Sequence, residues 1–225
     1  MALILQEMKI RAAHVATTGK YLGFFEWVVS SVIRGASIQM LFGSRVYDVG
    51  LVFGPQGAAH SSENTTPTLR VIACKIASGG GLLSAVVPSS LKPVVNHYVI
   101  GIPLGVINAT PAPAASLLQS ASEHETAAAA AHRAGWGIKL TDATGDCAPD
   151  TMAYFDGATR NIETWSRVRK EIAEKIMSVA DQAEWQQVFK CCCEGEGNEL
   201  GGLIGTSDME ITDQFSEGAF SISIF

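Results

Sequence analysis

The strongest constraint on the fold lies late in the chain, where Ile162, Trp165, Val168, Ile172, Ile176 and Val179 recur at spacings of three and four. Side chains so spaced share one face of an α-helix. Residues 162–180 are therefore expected to form one long helix that must lay its apolar stripe on another element, with Asn161 placed to cap its start. Trp185, Val188, Phe189 and Cys192 predict a further helix over 183–193. Phe24, Trp27, Val28, Ser31 and Val32 predict an earlier one that stops at Gly35, and 5–15 reads as a marginal first helix. What these helices can cover is the strand-rich middle. Residues 37–42 alternate and end at Gly43, 46–53 continue extended, and 69–76 and 93–100 are rich in β-formers, the last closed by Gly101 and Pro103. Helices on both sides of a strand-rich centre predict an α+β domain with a central, mostly antiparallel sheet.

The 225 residues fit a single domain, and 47% hydrophobic residues are ample for its core. A net charge of −6 with no basic stripe argues against nucleic acid and anionic membrane as partners. No apolar run approaches a membrane span, and the apolar start of the chain is too short for a secretory leader. Five cysteines, three of them consecutive at Cys191, Cys192 and Cys193, argue against a disulfide framework and lack zinc-site spacing. A reducing, cytoplasmic setting, a monomer, and no metal or organic cofactor are expected. Residues 54–68 read as a loop. Residues 109–135, with an alanine run at 127–131 that suits a short helix, read as a connector between two halves of one domain. The glycine-rich, acidic tail from Glu194 has strand character only over 219–225.

The chemistry concentrates at Gly145-Asp146-Cys147-Ala148-Pro149-Asp150-Thr151-Met152. Pro149 and Asp150 suit the first turn of a helix, and Met152, Ala153 and Phe155 give it an apolar face. A thiol at a helix N-terminus is favoured as its thiolate, the nucleophilic form, and the open backbone N–H groups of such a turn can hold an oxyanion. The same cysteine could equally be an inert core thiol. A nucleophilic cysteine needs a base. Of the five histidines, His14, His60, His124 and His132 fall on a weak helix, a loop or the connector; only His97 sits on a confident strand. Taken alone, His97 also reads as a core histidine.

Three stretches together resemble the ovarian-tumour (OTU) family of deubiquitinating cysteine proteases. Gly145-Asp146-Cys147, an apolar helix, then Arg167-Val168-Arg169 on the next helix resembles that family's cysteine loop and its buried or partner-bound arginine. Asn96-His97-Tyr98 at a strand end resembles its His-aromatic motif. Tyr21-Leu22-Gly23, followed by a helix and a strand, resembles the module that precedes that histidine. The order is rotated, with the histidine module (21–101) ahead of the cysteine module (140–193) and 194–225 as tail. The resemblance therefore implies a circularly permuted, papain-like fold in which the connector joins the family's usual ends. It implies a thiol peptidase acting on isopeptide bonds of ubiquitin or a ubiquitin-like modifier, in its own cytoplasm or a host's. Cys147 would be the nucleophile and His97 the base, with N–H groups of 142–147 as the oxyanion hole. The family's aspartate is displaced and Val99 stands two residues after the histidine, so the orienting group is left to Asp142 or Asp146. Asn96 would face away from His97 on a regular strand. Two other readings stand beside this one: another permuted papain-like hydrolase or acyltransferase of the NlpC type, and a non-catalytic ubiquitin-binding module.

Overall fold

In a computed structural model, residues 2–42, 45–49, 51–53, 67–76, 83–85, 95, 97–105, 126–142, 144–193 and 222–224 are described. The chain opens with α1 (Ala2–Val15) and α2 (Phe24–Arg34), runs through β1 (Ser37–Phe42), β2 (Arg45–Val49), β3 (Leu51–Phe53), β4 (Thr68–Ile76), β5 (Leu83–Ala85) and β6 (His97–Pro103), then α3 (Ala127–Arg133) and β7 (Trp136–Lys139). Three helices follow, α4 (Cys147–Phe155), α5 (Ile162–Val179) and α6 (Ala183–Cys193), and β8 (Ile222–Ile224) comes last. The class is α+β. One mixed sheet runs β2-β1-β4-β6-β7, with β5 paired to the end of β4. Only β1 and β4 run parallel within it; every other pairing is antiparallel.

Alternation along the strands sends side chains to two cores. Ile38, Met40, Phe42, Val71, Ala73 and Tyr98 join the main core beneath α1, α2, α4, α5 and α6. Leu41, Ile72, Cys74 and Val99 point the other way, onto Ala127, Ala130 and Ala131 of α3 and onto Trp136. Helix α2 is buried from Phe24 to Ser31, which explains its apolar character on nearly every side. It begins where buried Glu26 accepts the Gly23 N–H at 2.6 Å and pairs with Arg11, and it ends at Gly35 with φ +53°. Asn161 caps α5 by accepting from the Thr164 N–H at 2.9 Å.

Several expectations change. The best strand is described from His97 and continues through Gly101 to Pro103, because Trp136–Lys139 pairs with 100–103. Positions 93, 94 and 96, Asn96 included, lie outside the described residues, as do the glycine break at 79–81, most of the 54–68 loop and most of the tail. The end of the expected connector is not a mere link: α3 covers the far face of the sheet, and just beyond the connector β7 extends the sheet. Ile162, expected on the buried stripe of α5, is 66% exposed, since it stands at the helix start beyond the core. Strand β8 pairs with β3 in a separate two-stranded sheet, not with the main one. No helix among the described residues is long and apolar enough to cross a membrane, and none of their His, Cys, Asp and Glu side chains group as a metal site.

If α3 is core, its two faces respond differently to charge. Ala130→Glu, which buries an unpaired carboxylate against Ile72 and Val99, should cost about 3 kcal/mol. Ala128→Glu, on the exposed face, should stay within about 0.5 kcal/mol of the parent. Urea unfolding midpoints of the two variants check this, and equal losses would return α3 to the status of a linker.

Candidate active site

The site forms where β7 ends and the chain turns through 140–146 into α4. Strand β6 continues past the last β7 pairing, Ile100 with Lys139, so its next backbone groups need other partners. Thr141 Oγ1 donates to the Tyr98 carbonyl. The Tyr98 N–H is directed at the Cys147 sulfur, as are the N–H groups of Cys147 and Ala148 at the start of α4. A sulfur thus sits where a strand's hydrogen-bond partner would be, with amide dipoles aimed at it from a helix start and a sheet edge. Cys147 is 2% exposed and His97 3%.

His97 is held by a residue that sequence reasoning missed. Its Nε2 lies 3.2 Å from Thr141 Oγ1. That hydroxyl has one hydrogen, and it goes to the Tyr98 carbonyl. The threonine oxygen therefore accepts from His97, which sets the Nε2–H tautomer and leaves Nδ1 as the basic nitrogen. The contact spans 44 positions, and nothing in the local sequence distinguishes Thr141 from any loop threonine.

Electrostatics follow burial. Desolvation lowers the His97 pKa, with Asp142 opposing, so the imidazole is neutral at pH 7. Burial pushes the Cys147 thiol up to about 11; the three amides pull against it and the Asp142 charge adds to it. Cys74, paired in register with His97, donates its S–H to the His97 carbonyl at 3.4 Å. Burial, helped by Cys147, pushes its thiol up to about 12. At rest the thiol is protonated and the imidazole neutral, and no hydrogen bond joins Cys147 to His97.

The two aspartates proposed as orienting groups separate. Asp146 accepts from Arg169 Nε at 2.6 Å and from the Gly19 N–H at 3.1 Å, so its carboxylate is engaged in holding the loop. It makes no side-chain cap to α4. Asp142 carries the charge that His97 and Cys147 feel, yet its hydrogen bonds go to the N–H and Oγ1 of Thr144. Asp142 thus acts on the histidine through space, and Thr141 makes the direct contact. Of the loop amides expected to hold an oxyanion, that of Asp142 is bound to Asp150 and that of Thr144 to Asp142. The donors that remain are those of Gly145 and Asp146, with Ala143 outside the described residues.

Two ion pairs hold this loop, one fully buried and one with a partly exposed arginine. Arg169 is fully buried and donates to Asp146, to the carbonyls of Val15 and Gly145 at 3.0 Å each, and to that of Lys20. Arg167, its neighbour in the motif, is exposed and pairs with Glu171. Asp150 is saturated, accepting from the Asp142 N–H, Arg160 and Trp165 Nε1, while Arg160 also reaches the Leu140 carbonyl. Gly145 adopts φ +98°, and a Cβ there would lie 2.3 Å from the Gly19 carbonyl oxygen, so only glycine fits. Beside the loop opens a cleft of about 720 Å³ lined by Thr18, Asp142, Thr144, Ile162, Glu163 and Trp165, among others. Of the other histidines, His14 and His132 are exposed on α1 and α3, and His60 and His124 lie outside the described residues. Cys191 and Cys192 lie in the last turn of α6, away from this loop in sequence, and Cys192 packs in the helical core.

Comparison with known proteins returns no match to this chain, whether among family models, curated proteins or solved structures.

Both thiols and the imidazole should shape stability against pH. Unfolded, His97 takes up a proton below its ordinary 6.5, whereas the folded site resists it. Stability is therefore fully present above 6.5 and lost as pH falls below it. Unfolded cysteines release protons near 9.0, whereas the folded ones hold theirs to about 11 and 12, so stability falls as pH rises beyond 9.0. His97→Gln should weaken the acid limb, and Cys147→Ser should weaken the alkaline limb of a denaturation-midpoint profile, with the share of Cys74 remaining. Limbs unchanged from the parent would refute these assignments. Gly145→Ala, strained and crowded at once, should lower stability by about 2–3 kcal/mol in chemical denaturation.

Proposed function

We propose that the chain is a cysteine-dependent hydrolase of isopeptide bonds to ubiquitin or a ubiquitin-like modifier, built on a circularly permuted, papain-like OTU-type fold. The observation that carries the chemical half of this reading is the histidine tautomer. Thr141 occupies Nε2, so Nδ1 is the free base, in a site where three amides face a cysteine sulfur. The modifier half rests on the three sequence stretches that resemble the OTU family.

The chemistry follows from a neutral starting pair. As Cys147 Sγ bonds to the substrate carbonyl carbon, its proton passes to His97 Nδ1, and the imidazolium formed is favoured by the Asp142 charge. The amides at the start of α4 and the remaining loop donors stabilise developing negative charge. Collapse breaks the C–N bond, and the amine leaves with the proton from His97. Water then cleaves the thioester by the same base, restoring the thiol and releasing a carboxylic acid. Because the thiol stays protonated up to about pH 11 and the histidine stays neutral below its usual range, the rate profile should be flat around neutrality, with its acid limb below 6.5.

One observation favours a second reading. Cys147 is only 2% exposed, as suits a non-catalytic ubiquitin-binding module that retains the fold. Ubiquitin bearing a C-terminal electrophile separates the two. We expect a covalent adduct at Cys147, its absence in Cys147→Ala with binding retained, and a fall of about 10–100-fold in adduct rate for Thr141→Val, which frees the imidazole to turn. Reversible binding with no adduct would support the binding module instead. Adduct formation at Cys191 or Cys192 would mean that the nucleophile is misassigned.

A further inference from the structure

We propose that Arg160 is a positioning residue for His97, setting the tautomer of the base without touching it; its effect on rate rests on the hydrolase reading. The base is held by the Thr141 hydroxyl, which must meet the Tyr98 carbonyl and His97 Nε2 at once. A single stiff rotatable bond separates that oxygen from the main chain, so its place is set by the backbone on either side. On one side the Leu140 carbonyl accepts from Arg160 Nη2 at 2.7 Å. On the other the Asp142 N–H donates to Asp150 Oδ2 at 2.9 Å. Arg160 and Asp150 are themselves joined, Nε to Oδ1 at 2.8 Å and Nη2 to Oδ2. Leu140, Thr141 and Asp142, the carboxylate and the guanidinium thus close a ring with Thr141 at its middle.

The ring is anchored to the nucleophile's helix. Asp150 is buried in the first turn of α4, which Cys147 begins, and Trp165 Nε1 donates to its Oδ1 at 3.1 Å. Arg160, between α4 and α5, ties the Thr141 segment to that carboxylate from the Leu140 side. Its Nη2 serves both the Leu140 carbonyl and Asp150 while Nε takes the second carboxylate oxygen, a task for donors fixed in one plane. Lysine supplies the charge but not the planar fork. Without the fork the Leu140 carbonyl turns to water, and the Thr141 backbone loses one of its two fixed points. Its hydroxyl then no longer satisfies both partners. The proton of the neutral imidazole becomes free to sit on either nitrogen, and the form carrying it on Nδ1 cannot act as the base.

The test uses the full chain, ¹⁵N-labelled, and reads the imidazole nitrogens, whose shifts separate the two tautomers; the His97 signal is the one lost in His97→Gln. The parent should carry its proton on Nε2. Arg160→Met should give a mixture of tautomers. Arg160→Lys, which keeps a cation beside Asp150 and so protects the fold, should give a smaller change in the same direction. The saturating rate of adduct formation with the ubiquitin electrophile should fall about 10–100-fold in Arg160→Met. Arg34→Met controls for stability alone. Arg34 makes an equivalent two-bonded pair with Asp156 at the far end of α4, at 3.0 and 2.9 Å, and its loss should leave tautomer and rate as in the parent. A parent protonated on Nδ1, a tautomer unmoved in both Arg160 variants, or the same change in Arg34→Met would overturn the proposal. A tautomer change in a chain that never reacts with the electrophile would remove the hydrolase reading and leave Arg160 in its role. Reaction with a tautomer that neither Arg160 variant moves would do the reverse.

Discussion

The structure around the candidate site depends on one buried guanidinium. Arg169 reaches from the middle of α5 to the end of α1, the segment that follows it, and the cysteine loop, through bonds to Val15, Lys20, Gly145 and Asp146. Burying an arginine is unfavourable unless its donors are matched, and a carboxylate with three carbonyls at fixed positions matches them. The same requirement makes the arrangement rigid. Moving any one of three segments leaves a buried donor or acceptor without its partner. Gly145 and Gly19 must approach closely for the bonds to form, which is why the loop carries a glycine at that point.

A second clamp acts from the other end of the loop. Asp150, in the first turn of α4, gathers Arg160, Trp165 and the Asp142 amide, and Arg160 also holds the Leu140 carbonyl. Between the clamps lie Thr141, Asp142 and Cys147. Their positions against β6 are thus set by ion pairs that take no part in the proposed chemistry. The sheet supplies the remaining constraint. Because β7 stops at Lys139 while β6 extends back to His97, the Tyr98 N–H and carbonyl face the loop, one meeting a thiol and the other a hydroxyl. In this dry setting the thiol keeps its proton and the imidazole stays neutral.

Legibility differed by element for physical reasons. The spans of α6 and β1 could be read directly, and those of α2 and α5 to within a residue, because caps and breakers such as Gly35 and Asn161 act locally. Strand β7 could not, since a four-residue segment holding Gly137 acquires strand geometry only by pairing with 100–103. The alanine run could be read as a short helix, but small apolar side chains do not announce that a sheet face is waiting for them. Ile162 matched the stripe of α5 by period alone and is exposed because the core ends before it. At the site, the place of Cys147 at a glycine-led helix start and of His97 on a strand could be read locally, while the bond of Asp146 to Arg169, 23 positions away, could not.

The sequence by itself determined the α+β class, the helices with their caps, a thiol at a helix start, and an arginine poised on the following helix. These are properties of neighbours along the chain: periodicity, capping and turn chemistry act within a few residues. Only the tertiary structure decided that Thr141 rather than an aspartate touches His97, that Asp146 belongs to Arg169, that α3 and β7 complete the sheet, and that the thiol rests protonated. Each of these depends on which groups lose water together and which remain near a partner, and that is settled by packing between segments tens of residues apart.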